Sequence, residues 1–203
     1  MRFKVKNTGI YLSFTFFAVL LVLLCVGQLK ICLYSLISSL IHETVHIIFI
    51  LAFSGGISRI TLTGFGANIK RTNDDLLKPY KEAIISFSAP VFNLIISLVV
   101  YLIYEKHTVF GTVNFVIGFF NLLPYYTFDG GRGLSFLLKP ILSEKSIAVI
   151  LDILSVCVTI LFSFTSVYVF FHHNRNVTLL FLSIYMIANL FVLNSKVNKG
   201  YNY

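Results

Sequence analysis

Residues 31–53 read ICLYSLISSLIHETVHIIFILAF, a run long enough to cross a bilayer, which requires about 20 apolar residues. His42, Glu43 and His46 supply nearly all of its ionisable groups. A charged side chain at the bilayer centre costs a few kcal/mol on insertion scales, so such groups are rarely kept there without a function. The stretch therefore predicts a transmembrane helix that carries a His-Glu-x-x-His metal-hydrolase motif.

The composition of the chain also indicates a membrane protein. Its 203 residues are 57% hydrophobic and 12% charged, whereas soluble domains carry about 25% charged residues. This composition excludes a soluble fold with a polar surface. The net charge is +8, and the basic residues lie between the apolar runs, where they suit contact with lipid headgroups. The basic residues form no stripe with interleaved aromatic residues, so we expect no nucleic-acid partner.

Six apolar segments predict an all-α polytopic membrane protein, formed by one domain with about six transmembrane helices. The segments cover residues 10–27, 30–53, 83–104, 109–126, 147–171 and 178–194. Pro124 and the pair Gly130-Gly131 interrupt the fourth segment, so we expect its C-terminal end to be unwound. Irregular backbone at membrane depth is tolerated only where it is buried in protein or lines a wet cavity. An active site would provide such a cavity.

The distribution of basic residues predicts the orientation of the helices. With the N-terminus in the cytoplasm, 13 of the 16 Lys and Arg residues fall in cytoplasmic segments. Cytoplasmic loops are enriched in these residues. We therefore expect both termini in the cytoplasm and an active site that opens toward it.

The longest connection between the predicted helices, residues 54–82, is cytoplasmic in this arrangement. Its residues 57–66 read ISRITLTGFG, which combines β-branched residues with partial alternation and ends in glycines. The pattern predicts a short β-like segment at the membrane surface after the second helix. An amphipathic loop lying on the headgroups is the alternative.

The His-Glu-x-x-His motif has a direct chemical interpretation. His42 and His46 are one helical turn apart on the same face, so both imidazoles can reach one cation. Glu43 can then take a proton from water whose pKa the metal has lowered. A transporter that uses these three residues as an ion or proton relay is the alternative. A catalytically silent scaffold is a further alternative, which the intact trio argues against.

A catalytic zinc ion needs a third protein ligand and one open position. His107, His172 and His173 fall near loops predicted on the outer face, away from the motif. Asp129 is better placed, because it follows the break in the fourth segment, and Gly130-Gly131 would let its carboxylate point inward. An Asp before two glycines is also common as a simple turn residue. On the local sequence alone, the turn role is the favoured interpretation of Asp129.

Three short stretches share their order and spacing with a known family of enzymes. They read HETVH at residues 42–46, SAPVFN at 88–93, and NLLP at 121–124 followed by FDGGR at 128–132. Together they resemble the site-2 protease family of intramembrane zinc metalloproteases over residues 36–132. Phe128 replaces the Leu of the family's Leu-Asp-Gly signature. Ala89 replaces the first Gly of its Gly-Pro-x-x-Asn segment.

The resemblance implies a metal centre and a catalytic residue. His42, His46 and Asp129 would hold one Zn²⁺ per chain, and Glu43 would activate water. Residues 1–203 would then form a single intramembrane metalloprotease domain, with no PDZ or CBS domain.

The resemblance also implies candidate substrate-binding residues. These are Asn93, Asn121 and Pro124, with the two asparagines as contacts for a substrate strand or an oxyanion. For each asparagine, an interhelical hydrogen bond is the alternative. A transmembrane substrate would have to be unwound for cleavage, and residues 57–65 are our candidate for an edge strand that pairs with it.

Within the family, the six-span layout is most similar to the stage IV sporulation group of endospore-formers. The similarity implies a membrane-associated protein substrate, for which a sporulation sigma factor precursor is a candidate, and membrane-protein regulators as partners. Many members of that group carry a CBS domain. Its absence here argues against control by nucleotide and leaves other short members of the family as alternatives.

Overall fold

The structure, a computed structural model, describes residues 2–5, 8–12, 29–54, 56–63, 66–72, 77–172 and 178–197. These ranges contain four β-strands and six α-helices. In chain order they are β1 Arg2–Val5, β2 Thr8–Leu12, α1 Leu29–Ser54, β3 Ile57–Thr63, β4 Gly66–Arg71, α2 Pro79–Tyr104, α3 Val109–Leu122, α4 Asp129–Leu138, α5 Glu144–His172 and α6 Thr178–Val197.

Three of the described helices, α1, α2 and α5, are long and apolar enough to cross a membrane. Helix α3 and the apolar part of α6, Leu179–Phe191, are shorter. The predicted segments 30–53, 83–104, 147–171 and 178–194 match α1, α2, α5 and α6 to within four residues at each end. These four helix positions are confirmed. The count of six membrane spans stays a prediction.

The first predicted segment, residues 10–27, differs from the structure at its start. Residues 10–12 belong to β2 rather than to a helix, because they pair with β1 and β3. Residues 13–27 of that segment lie outside the described residues. The predicted N-terminal helix is therefore wrong for residues 10–12.

The described helices bury small polar side chains and expose large apolar ones. Ser38, Asn93 and Asn114 are fully buried, whereas Phe164 and Phe171 are about three-quarters exposed, at 75% and 77%. A soluble domain would place such phenylalanines inside. This inverted pattern suits a bundle whose outer surface contacts lipid and whose helices associate through hydrogen bonds and small residues.

A four-stranded sheet lies beside the helices, with the strand order β1-β2-β3-β4. The β1–β2 and β3–β4 pairs are antiparallel, and the β2–β3 pair is parallel. Ile57 of β3 packs against Ile50 of α1 and Ile85 of α2, which fixes the sheet to those helices. The predicted β-like segment after α1 is confirmed. The proposal that residues 57–65 form an edge strand is wrong, because β3 is paired on both sides.

Helix α2 is central to the helical part, since it packs against α1, α3 and α4. Helix α5 packs against α6 and contacts α4. Helix α3 ends as predicted, where the Leu123 N–H donates to the carbonyl oxygen of Phe120 and Pro124 follows. The chain was not expected to form a new helix at residues 129–138. Helix α4 forms there despite three glycines, which have low helix propensity.

Candidate metal centre

The α1 side of the site follows from helix geometry. His42 and His46 lie on one face of α1, with their ring centroids 4.9 Å apart and their planes nearly perpendicular. Both are buried, at 5% and 9% exposure, in a helix whose other faces carry exposed Ile and Leu side chains. The four-residue spacing of the motif therefore brings two imidazoles to one point.

Asp129 approaches the same point from the first residue of α4. Two glycines allow this helix to begin directly against the end of α3 and the following turn. A Cβ atom on Gly130 would overlap the carbonyl oxygen of Leu122, and one on Gly131 would overlap that of Tyr125. Because backbone atoms block both positions, only glycine permits this close approach.

The turn that carries Asp129 is fixed to α5 and α6. The Tyr125 hydroxyl, in a fully buried side chain, donates to the carbonyl oxygen of Met186 on α6 at 2.8 Å. The Tyr126 N–H donates to the Ser155 hydroxyl on α5 at 3.0 Å. Sequence reasoning missed these residues, because a lone Tyr or Ser in an apolar segment carries no distinguishing pattern.

The three predicted ligands meet in the structure. The Nε2 atoms of His42 and His46 each lie 3.0 Å from the same Asp129 oxygen, Oδ2. One candidate ligand atom from each of the three residues lies within 4.8 Å of the others. This group could hold a metal ion.

The hydrogen bonds behind the two histidines test whether a metal fits. The Nδ1 of His46 lies 2.9 Å from the carbonyl oxygen of Ile85, which can only accept, so Nδ1 carries the proton. The Nδ1 of His42 lies 2.8 Å from Asn93 Oδ1. With protons on Nδ1, both Nε2 lone pairs face the Asp129 carboxylate. Such a cluster of acceptors is stable only with positive charge among them, so the donor set fits a cation. Two histidines and one carboxylate form a known zinc-hydrolase ligand set with one open position.

A cavity of about 580 Å³ surrounds this group. Glu43 lines it beside the two histidines and Asp129, as the predicted catalytic role requires. Its wall combines residues from α1, β4, α2, α3, the turn and α4.

Strand β4 forms one side of the cavity and is tied to α2. Arg71, at the end of β4, contacts both carboxylate oxygens of Glu82 in the first turn of α2, at 2.7 and 2.8 Å. Glu82 is buried, and both residues line the cavity. The pair therefore holds β4 beside the cavity.

The three residues predicted to bind substrate lie in different places. Asn121 lines the cavity, and its amide donates to the Ile117 carbonyl oxygen of its own helix. Pro124 lies in the turn and is not one of the described residues that line the cavity. Asn93 is fully buried behind His42. For Asn93 the structure shows the interhelical hydrogen bond, and its role as a substrate contact has no support from this geometry.

No protein-family model and no curated protein matches the sequence. Among solved structures, the chain is similar to the site-2 protease from Methanocaldococcus jannaschii, with a TM-score of 0.65 and 19% sequence identity. The match covers 94% of this chain and 93% of that one. The chain has the fold of a site-2 protease.

The site-2 protease fold agrees with the polytopic membrane arrangement expected from the sequence. Together with the three apolar helices, it supports an integral membrane protein. The His42, His46 and Asp129 group lies inside this fold, as the motifs implied.

Proposed function

We propose that the chain is an intramembrane zinc metalloprotease that hydrolyses peptide bonds in or near the membrane-associated segment of a protein. The observation that carries the proposal is the meeting of His42 Nε2, His46 Nε2 and Asp129 Oδ2 beside Glu43. A transporter relay would not require a third ligand delivered from a distant turn to the two histidines.

The proposed chemistry assigns one role to each residue. His42, His46 and Asp129 would hold the zinc ion. When bound, this ion supplies a Lewis acid that polarises the scissile carbonyl and acidifies water. Glu43 takes the proton of the attacking water and passes it to the leaving nitrogen as the C–N bond breaks. The cavity would admit water to Glu43 and the three ligand residues, which lie between apolar helices.

Strand β4 is our candidate for the element that holds the substrate. A transmembrane helix must unwind before its carbonyl groups can be attacked, and its backbone then needs new hydrogen bonds. Strand β4 is an edge of the sheet, and its Asn68, Ile69 and Arg71 line the cavity. An unwound segment could add to this edge by main-chain pairing. This proposal replaces β3 by β4.

We propose that the cavity opens to the cytoplasm. The N-terminal strands β1 and β2 form one sheet with β3 and β4, so two segments that the charge distribution assigns to the cytoplasm lie together. Residues of β4 and of α4 reach the cavity from segments with the same predicted side. Both termini would then be cytoplasmic, as the excess of Lys and Arg predicts.

The test of catalysis uses protein reconstituted in liposomes with a single-span reporter whose helix contains an Asn-Gly-Pro break. Wild-type protein should cleave the reporter and bind one equivalent of zinc. Glu43→Gln should abolish cleavage and retain zinc, because it removes the proton acceptor but no ligand. Thr44→Val is the matched control, since Thr44 is exposed and donates to the Leu40 carbonyl oxygen of its own helix. This control should cleave as wild type does.

Two results would overturn the proposed catalysis. The first is cleavage that survives Glu43→Gln. The second is ion transport by the reconstituted protein without cleavage of the reporter and without stoichiometric zinc. This result would favour the transporter relay.

The proposed strand pairing is tested by disulfide crosslinking to a reporter with one cysteine near its helix break. In a chain whose three cysteines are replaced by serine, Asn68→Cys on β4 should crosslink. Ser58→Cys on β3 is the control, because Ser58 is also exposed but its strand is already paired on both sides. Equal crosslinking at both positions would contradict pairing at β4.

The substrate itself follows only from the family resemblance. We propose a sporulation sigma factor precursor as the first candidate, and membrane proteins as regulators of its cleavage. Co-expression of the precursor with wild-type protein should release its pro-segment, and co-expression with Glu43→Gln should not. Release by neither protein, with the reporter still cleaved, would reject this substrate and leave the enzyme class intact.

A further inference from the structure

A chain of buried polar side chains connects His42 to helix α3. His42 Nδ1 faces Asn93 Oδ1 at 2.8 Å, and Asn93 Nδ2 donates to Asn114 Oδ1 at 2.8 Å. Asn114 Nδ2 in turn donates to the Ser38 hydroxyl on α1 at 2.9 Å. Asn93, Asn114 and Ser38 are each 0% exposed. The predicted active-site residues do not include Asn114 or Ser38.

The polarity of this chain is fixed at one end by the backbone. Asn114 Nδ2 also donates to the carbonyl oxygen of Phe110 at 2.9 Å, and a carbonyl oxygen can only accept. The other end of the Asn114 amide, Oδ1, must therefore face Asn93. Only the Nδ2 group of Asn93 can donate to it, which turns Asn93 Oδ1 toward His42.

This order of donors determines the tautomer of His42. Because Asn93 presents an acceptor, His42 Nδ1 must carry the proton and Nε2 keeps its lone pair for a metal. His46 reaches the same state more directly, through the carbonyl oxygen of Ile85. The two ligand histidines therefore have the same tautomer but different supports. One backbone carbonyl supports His46, whereas the Asn93 amide supports His42 and is itself held by Asn114 at 2.8 Å and, more weakly, by the Ser38 carbonyl oxygen at 3.4 Å.

Close packing of α2 and α3 makes the chain possible. A Cβ atom on Gly118 of α3 would lie 2.7 Å from the carbonyl oxygen of Pro90 and 2.9 Å from Leu94, so the two helices approach each other without a side chain between them. Gly118 is one turn from Asn114, and Pro90 is nearly one turn from Asn93. At this separation two short amide side chains can meet across the interface.

We propose that Asn114 is a positioning residue for the metal site: through Asn93, it holds His42 in the tautomer that can bind zinc. The proposal rests on the metal site of the proposed function. Loss of Asn114 would leave the Asn93 amide held only by its longer hydrogen bond to the Ser38 carbonyl oxygen, at 3.4 Å, so that the amide can turn over and present a donor to His42 Nδ1. The ring would then favour a proton on Nε2, which blocks coordination.

The experiment measures zinc affinity by competition with a chelator, and the absorption spectrum of the Co²⁺-substituted protein, in detergent. Asn114→Leu keeps the side-chain size but removes both polar groups. We expect zinc affinity to fall by roughly 10- to 100-fold, as for other outer partners of metal-ligating histidines, with a changed Co²⁺ spectrum. Both readouts are independent of proteolysis.

Asn189→Leu is the matched control. Asn189 on α6 is half-buried and donates to the Tyr185 carbonyl oxygen one turn earlier at 3.1 Å, as Asn114 does to Phe110. It lies on a helix that is not part of the metal group. We expect the zinc affinity of Asn189→Leu to stay within twofold of wild type. If Asn114→Leu does not accumulate as folded protein, Asn114→Ala and Asn189→Ala replace the pair.

A double-mutant cycle tests whether Asn114 acts through Asn93. Asn93→Leu should weaken zinc binding at least as much as Asn114→Leu does. The double variant should bind zinc with the same affinity as Asn93→Leu alone. Additive losses, or wild-type affinity and Co²⁺ spectrum in Asn114→Leu, would overturn the positioning role. Wild-type protein that binds no zinc would instead overturn the metal site of the proposed function.

Discussion

The two sides of the metal centre are built in different ways. His42 and His46 come from one continuous helix, α1, whose regular geometry is enough to align them. Asp129 comes from the first residue of α4, 83 residues after His46, and its place depends on a turn, two glycines and contacts with α5 and α6.

This difference teaches where the site is sensitive to change. On α1, helix geometry sets the backbone positions, and the outside partners only orient the rings. On the turn side, the backbone itself is positioned by residues that never reach the metal. We therefore expect a substitution that displaces the backbone behind Asp129 to weaken the site more than a comparable glycine substitution elsewhere in the helices.

Removal of a protein ligand should weaken zinc binding strongly, whether the ligand comes from α1 or from the turn side. His46→Ala and Asp129→Ala should each reduce zinc affinity by more than the roughly 10- to 100-fold that loss of an outer partner causes, because a direct bond is lost. Zinc content after dialysis and chelator competition measure this effect. If either variant retained zinc at wild-type affinity, that side would not belong to the site.

Gly131→Ala should separate the sides most clearly. The new methyl group would overlap the Tyr125 carbonyl oxygen, so α4 must shift and carry Asp129 away. We expect a loss of zinc affinity that approaches that of Asp129→Ala. Gly111→Ala is the control, because its nearest neighbour is the Thr108 side chain at 3.1 Å rather than backbone. Equal zinc affinity in both glycine variants would break the comparison.

Tyr125→Phe should have a smaller effect. It removes the hydrogen bond from the buried hydroxyl to Met186 of α6 and leaves the ring in place. We expect a loss of about 1 kcal/mol in the free energy of unfolding, the usual net value of one hydrogen bond, with a few-fold weaker zinc binding. Chemical denaturation and chelator competition measure the two quantities. Tyr101→Phe, at an exposed position on α2, should change neither.

Ser155→Ala should give the smallest change of the series. It removes the acceptor of the Tyr126 N–H from the buried face of α5. We expect a loss at or below about 1 kcal/mol in unfolding free energy and a smaller effect on zinc binding than that of Tyr125→Phe, because this hydrogen bond is part-buried whereas that of Tyr125 is buried. Thr165→Ala, on the exposed face of the same helix, is the comparison. A larger effect from Ser155 than from Tyr125 would place the main anchor of the turn on α5 instead of α6.

The sequence was most informative where structure depends on local pattern. The apolar runs located α1, α2, α5 and α6, and the spacing of His42 and His46 predicted their shared face. Alternating β-branched residues located β3. Each of these features depends on the period of a helix or strand, which can be read from neighbouring residues.

The missed features all depend on contacts between distant residues. Strands β1 and β2 are short, and β2 is stabilised by β3, which begins at residue 57. Helix α4 is rich in glycine, so its propensity argued for a turn until packing against α3 was known. The hydrogen bond between Asn93 and Asn114 joins α2 to α3. Asp129 was found only because the surrounding motifs resemble a known family.

The parallel pairing of β2 and β3 has a consequence for the synthesis of the protein. Strand β2 ends at residue 12, but its partner begins at residue 57, after α1. The first two strands therefore remain without their β3 partner until α1 and β3 have been synthesised. Strand β4, a wall of the cavity, is the last strand of the sheet to be synthesised. Completion of this wall therefore requires that the helix carrying His42 and His46 has already been synthesised.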